Sequence, residues 1–305
     1  MKLGALSISD YAAERLGAHG STGSVHSVFR TSLNVEFDGL LLHIGSARAP
    51  LSCLGLTVDP EGASALVNLV DPGDRALVRN GILRLYGRGD VVEIDLISAP
   101  VRGTAVPMAT VSPDEEMDIL VCRELSELSL PARTGLPWDE RASRSLAGLA
   151  RLSAVCRSSW EAARTDAPAP RARIDAAYRG AGGAIRHLLG RGLGLTPSGD
   201  DVLCGFGCGF CYLWRRAPLG CDGWKVYADM VLEALPGKTT AVSEGYLRAM
   251  CEGFANEDYV DLLRSLDGGE VEKVPGHLER ILEMGHTSGA DSLLGFGAAF
   301  GYISI

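Results

Sequence analysis

Long hydrophobic runs are missing from this 305-residue sequence: the longest, Val202 to Trp214, is thirteen residues, too short to cross a bilayer as a helix. The opening Met-Lys-Leu-Gly-Ala-Leu lacks the apolar core of a secretory signal, so a soluble cytoplasmic protein with no membrane partner is expected. Lysine is scarce. Lys2, Lys225, Lys238 and Lys273 are the only four among 29 basic residues, the rest being arginine. Arginine suits bidentate contacts to carboxylate or phosphate, but genome composition produces the same bias, so it decides nothing. Positive charge is also in deficit. A net charge of -9 leaves no footprint for nucleic acid. Eight cysteines without a secretion signal are expected to stay reduced. No dense spacing of metal ligands and no adjacent nucleophile–base pair occurs, so no metal or cofactor is expected.

What is present divides into two parts, and the fold class is α+β. An N-terminal β-rich domain is predicted over residues 1–125, with apolar and β-branched runs at Ser24–Phe29, Ser32–Phe37, Leu40–Ile44, Leu51–Val58, Ile82–Tyr86 and Val91–Ile97. Asp38-Gly39 is the best hairpin turn and Gly87-Arg-Gly-Asp90 the next. Short strands joined by tight turns suggest a mainly-β barrel or sandwich. An all-α domain is predicted over residues 126–305, with helices at Trp138–Arg164, Ile174–Leu189, Ser198–Trp214, Trp224–Leu235, Thr240–Phe254, two shorter ones and a last one from Ser288. Asp166-Ala-Pro-Ala-Pro170 and a Pro/Gly/Cys-rich linker are the expected breaks.

The α-helical part carries an internal pseudo-repeat. Ser198-Gly-Asp-Asp-Val-Leu-Cys-Gly-Phe-Gly207 and Ser288-Gly-Ala-Asp-Ser-Leu-Leu-Gly-Phe-Gly297 agree at seven of ten positions. Ser-x-x-Asp before an apolar run reads as a capping box, in which the serine accepts from an N–H one turn in and the aspartate reaches back. Two helix starts follow. Free N–H groups and a glycine in the first turn also suit an anion, with Thr196, Ser198, Gly199, Thr287, Ser288 and Gly289 as donors. Plain capping explains the same residues. Glycines at i and i+4, Gly205/Gly209 and Gly297/Gly301, predict that the two helices pack together about a pseudo-twofold axis. The capped ends meet only if those helices run parallel.

Two near-motifs fail on context. Cys204, Cys208 and Cys211 have an iron–sulfur spacing, but they fall on a helix, as buried small hydrophobes do. Gly237-Lys-Thr-Thr240 mimics the end of a P-loop, whose first glycine would fall at Leu232 inside a helix. What survives is Thr239 or Thr240 capping a third helix start with Ser243 one turn on, either a cap or a further anion contact.

The copies also differ. His286 stands where the first copy has Leu195, and it is the first candidate for a general acid or base. Asp200 stands where the second copy has Ala290; capping accounts for Asp201 and Asp291 but not for Asp200. These four form the candidate catalytic set. His26 and Arg30 share a predicted strand face that solvation explains equally well.

Gly192-Leu-Gly-Leu-Thr-Pro-Ser-Gly-Asp-Asp201, Gly285-His-Thr-Ser-Gly-Ala-Asp291, Thr239-Thr240-x-x-Ser243 and the Val25-His-Ser-Val-Phe29 stretch with Asn34 together resemble the AllH-like family. That resemblance implies a subunit associated with oxamate carbamoyltransferase in anaerobic allantoin use, working with partner protein subunits. The implied reaction converts oxalurate and phosphate to oxamate and carbamoyl phosphate, so a small carboxylate or phosphate metabolite is the expected ligand. A non-catalytic anion-binding or scaffold subunit is the alternative.

Overall fold

In the computed structural model, residues 1–16, 21–109, 115–165, 171–215 and 223–302 are described. The predicted break at 166–170 and most of the linker lie outside them. The chain forms two compact units, Met1–Ala105 with Phe254–Asp258, and Val106–Gly253 with Tyr259–Ile305.

The first unit is a ten-stranded curled sheet, a half-barrel. Its elements are β1 (Lys2–Gly4), β2 (Ser7–Ser9), α1 (Asp10–Leu16), β3 (Ser21–Val28), β4 (Ser32–Phe37), β5 (Leu40–Ser46), β6 (Gly55–Val58), α2 (Pro60–Leu69), β7 (Arg75–Arg79), β8 (Ile82–Gly87), β9 (Asp90–Asp95) and β10 (Val101–Arg102). Spatial order is β1-β9-β8-β7-β3-β4-β5-β6-β2-β10. The two predicted hairpins form: Phe37 pairs Leu40 across Asp38-Gly39, and Gly87 pairs Asp90 across Arg88-Gly89. A third hairpin is Asn80-Gly81, where both residues take positive φ, as a twisted two-residue turn requires.

The strand alternation sorts the side chains. Leu33, Val35 and Phe37 of β4, with Leu42 and Ile44 of β5, are buried, and α2 packs against these two strands. That helix was not expected from sequence. Asp59 caps it, accepting from Gly62 N at 2.8 Å, and Pro60 occupies its first turn, where a missing N–H costs nothing.

The second unit is helical. It comprises α3 (Glu115–Glu127), α4 (Glu140–Arg164), α5 (Arg171–Leu188), α6 (Ser198–Trp214), α7 (Gly223–Ala234), α8 (Ala241–Cys251), α9 (Glu257–Asp267, whose first two residues belong to the sheet unit), α10 (Val274–Leu282) and α11 (Ser288–Ala299). Helices α6 and α11 are buried almost throughout, with Phe206, Phe210, Tyr227 and Phe296 fully enclosed. Each such aromatic contributes about 2 to 3 kcal/mol on leaving water. Cys204, Cys208 and Cys211 lie on α6, the last two buried. No described helix is long and apolar enough to cross a membrane.

Candidate functional site

Helices α6 and α11 run parallel and touch backbone to backbone. A Cβ on Gly205 would lie 1.8 Å from Ser292 O, and one on Gly295 would lie 1.9 Å from Val202 O. These are the same two positions of the repeat, the eighth of each copy against the fifth of the other. Only glycine permits that approach. At the C-terminal ends Gly209 packs on Ala299, and at the N-terminal ends Thr196 Oγ1 lies 3.1 Å from Ser288 Oγ. Equivalent ends therefore meet.

The turns leading into the two helices are built alike. Gly199 closes on the Leu188 carbonyl that ends α5, and Gly289 closes on Ile281 O and Leu282 O at the end of α10. Their N–H groups donate to Arg191 O at 2.7 Å and to Met284 O at 3.0 Å. The glycine amides expected to face an anion are thus already occupied. Those of Ser198, Ser288 and Ala290 have no acceptor among the described residues.

The capping boxes expected from sequence do not form. Pro197 and Thr287 hold the two cap positions, neither makes a side-chain cap bond, and both serines sit inside the first turn. Proline locks φ near the observed -54° and the next residue must then begin the helix. The serine hydroxyls point elsewhere. Ser198 Oγ and Thr287 Oγ1 both abut Gly135, where a Cβ would lie 2.5 and 2.6 Å from them.

Released from capping, the three aspartates take different partners. Asp200 is fully buried and its oxygens accept from Gly190 N at 2.7 Å, Ser243 Oγ at 2.7 Å and Thr239 Oγ1. It ties α6 to the start of α8. There Thr240 is the N-cap, accepting from Ser243 N at 3.1 Å while its hydroxyl donates to Leu195 O, as expected for a third helix start. Asp291 is also fully buried and accepts from Thr134 Oγ1 and from Gly135 N at 3.1 Å. Thr134 and Gly135, unsuspected from sequence, bring a distant loop onto both helix starts. Nothing local in Ala-Arg-Thr-Gly announces that role.

Asp201 is the exception. Its Oδ2 is sealed from solvent with no hydrogen-bond partner, beside the Ser288 and Thr196 hydroxyls. Burial pushes its pKa well above the usual carboxylate range, and the neighbouring Asp291 and Asp200 push further, with the two hydroxyls opposing. Burial also raises Asp200, against its three hydrogen bonds. Burial thus favours the protonated form of Asp201.

His286 is exposed on the turn before α11 and has no partner among the described residues. A groove of about 370 Å³ nearby in the chain is lined by Lys238, which precedes Thr239 and whose carbonyl crowds Gly190. His26 and Arg30 belong to the sheet unit and not to this cluster.

Residues 188–300 match the family described as oxamate carbamoyltransferase subunit AllH, and residues 4–101 match the AllH family N-terminal domain. The two matches cover most of the chain. No solved structure matches it.

Proposed function

Because the chain belongs to the AllH family of oxamate carbamoyltransferase subunits, we propose that it takes part in the transfer of a carbamoyl group between oxalurate and phosphate, binding its anionic ligands at the paired starts of α6 and α11. The observation that carries this reading is Asp201, whose Oδ2 is sealed without a hydrogen-bond partner at the meeting point of two parallel helix N-termini.

Two parallel N-termini add their partial positive charges, so a carboxylate or phosphate gains at both at once. The free N–H groups of Ser198 and Ser288, with the Thr196, Ser198, Thr287 and Ser288 hydroxyls, supply uncharged donors. Thr239, Thr240, Ser243, Gly199 and Gly289 hold this frame through the bonds and close contacts described above.

In the reaction, a phosphate oxygen attacks the carbamoyl carbon of oxalurate. The resulting oxyanion is met by fixed donors, and the carbon–nitrogen bond to oxamate then breaks. The departing nitrogen needs a proton. Asp201 donates it and recovers one from solvent, so the products are carbamoyl phosphate and neutral-amide oxamate. His286, in contact with solvent at the lip of α11, is the proton-exchanging group for that return. Asp200 and Asp291 position the two helix starts.

Calorimetric titration with oxalurate, oxamate, carbamoyl phosphate and phosphate, with and without partner subunits, tests binding; no heat from any of them removes the proposal. Asp201→Asn keeps the shape and loses the proton. Its kcat in the assembled enzyme is expected to fall on the order of 100-fold or more, while a scaffold role leaves it within about threefold.

A further inference from the structure

A second polar cluster lies in the sheet unit, outside the site above. Ser27 of β3, Asn34 of β4 and His43 of β5 are direct cross-strand partners, so they form a row on one face of the sheet. The β3–β4 register slips between Val25 and Ser27, which makes His26 a bulge residue. Bulges re-aim a side chain that regular pairing would fix.

The row is wired by hydrogen bonds with a direction. Asn34 Nδ2 donates to Ser27 Oγ at 3.0 Å, which turns Asn34 Oδ1 toward His43 Nδ1, 2.9 Å away. A carbonyl oxygen only accepts, so His43 Nδ1 carries the proton and Nε2 keeps a lone pair. Ser27 Oγ, having accepted from Asn34, also lies 3.2 Å from His26 Nδ1. Both imidazoles lie on the same chain, and its His43 end presents an acceptor.

The acceptor is kept open. His43 Nε2 has no partner among the described residues and is not sealed from solvent, although Asn34 beneath the network is buried. Two positions along the same face stands Gly45, where a Cβ would come within 3.1 Å of that nitrogen. A glycine inside a strand weakens it and marks a place where something else approaches. The clearance lies at the lone pair.

Resting on the amide-bearing ligand of the function proposed above, we propose that His43 Nε2 is a ligand-contacting hydrogen-bond acceptor for an uncharged amide-type N–H, with Asn34 and Ser27 as the positioning residues that lock its tautomer. Burial lowers the His43 pKa to about 4, so the ring stays neutral across the physiological range and is far too weak a base to take the proton outright. It recognises a donor and leaves it intact. The carboxylate of the same ligand is not bound here, since a neutral lone pair repels it.

Nitrogen-15 NMR of the histidine rings in the full-length protein tests this. At pH 7 His43 is expected to be protonated on Nδ1 alone and not to titrate between pH 5 and 8. Oxamate, which has an amide, is expected to shift its Nε2 resonance, and oxalate, which has none, is not. Asn34→Leu is expected to mix the two tautomers and weaken the oxamate response at least tenfold. The same response is expected in Asp201→Asn, which separates this site from the helical one. A ring protonated on Nε2, an ordinary titration near pH 6.5, or a resonance that ignores oxamate or follows oxalate equally would overturn the assignment.

Discussion

The start of α6 and the start of α11 share a backbone and differ in what their carboxylates do. In both, a glycine closes on the last carbonyl of the preceding helix and another lets the partner helix touch. Yet Asp200 is spent on α8, Asp291 on the loop at Thr134, and Asp201 only on the Thr196 and Ser288 hydroxyls, its Oδ2 left without a partner. The frame is symmetric and the chemistry is not. A duplicated scaffold sets two equivalent helix starts, and the unshared bonds decide which aspartate oxygen is left without a partner.

Removing the symmetric part has the largest expected effect. Gly205→Ala or Gly295→Ala places a methyl inside a backbone carbonyl, and stability is expected to drop by about 4 kcal/mol or more, read by denaturant unfolding. If either variant is as stable as the parent, the helices are not held by that contact. Breaking one asymmetric tie comes next. Asp200→Ala strands Gly190 N, Thr239 and Ser243 without an acceptor, at a cost of roughly 3 kcal/mol, and hydrogen exchange at the α8 start is expected to speed up with it.

Asp201 sharpens the comparison in the opposite direction. Its folded pKa lies above the unfolded one, so the native state binds more protons and stability falls as pH rises from about 4 through the folded value. Asp201→Asn is expected to be more stable than the parent by on the order of 1 kcal/mol at pH 7.5, with the gain vanishing near pH 4. Thermal melts across that range check the sign; a variant less stable at pH 7.5 would place the proton elsewhere. The smallest effect belongs to the exposed residue. His286→Leu makes the two lead-ins alike and is expected to change stability by less than about 0.5 kcal/mol, while slowing turnover if proton return runs through it. Unfolding and steady-state rates of the same sample separate the two.

Much of this was readable from residues close together in the chain. The Asp38-Gly39 turn, the helix from Ser198 to Trp214 and the repeat itself rest on local patterns, and all appear. Helix α2, with Asp59-Pro60 at its start, and the Asn80-Gly81 turn are equally local, each set by two adjacent residues. The aspartate partners are a different matter. Asp291 is answered by Thr134 and Asp200 by Ser243, groups far away in sequence that only packing brings near. The capping reading failed for a local reason, since Pro197 takes the cap position and moves Ser198 one place into the helix.

The sealed Oδ2 of Asp201 has a consequence for how a ligand enters. Two negative charges cannot share the space between the helix starts, so an arriving anion must find Asp201 protonated or bring the proton along. Binding is then coupled to proton uptake only at pH values where Asp201 has ionised, and its measured heat depends on the ionisation enthalpy of the buffer there alone. Under the proposed anion site, affinity falls once the surroundings are alkaline enough to ionise Asp201.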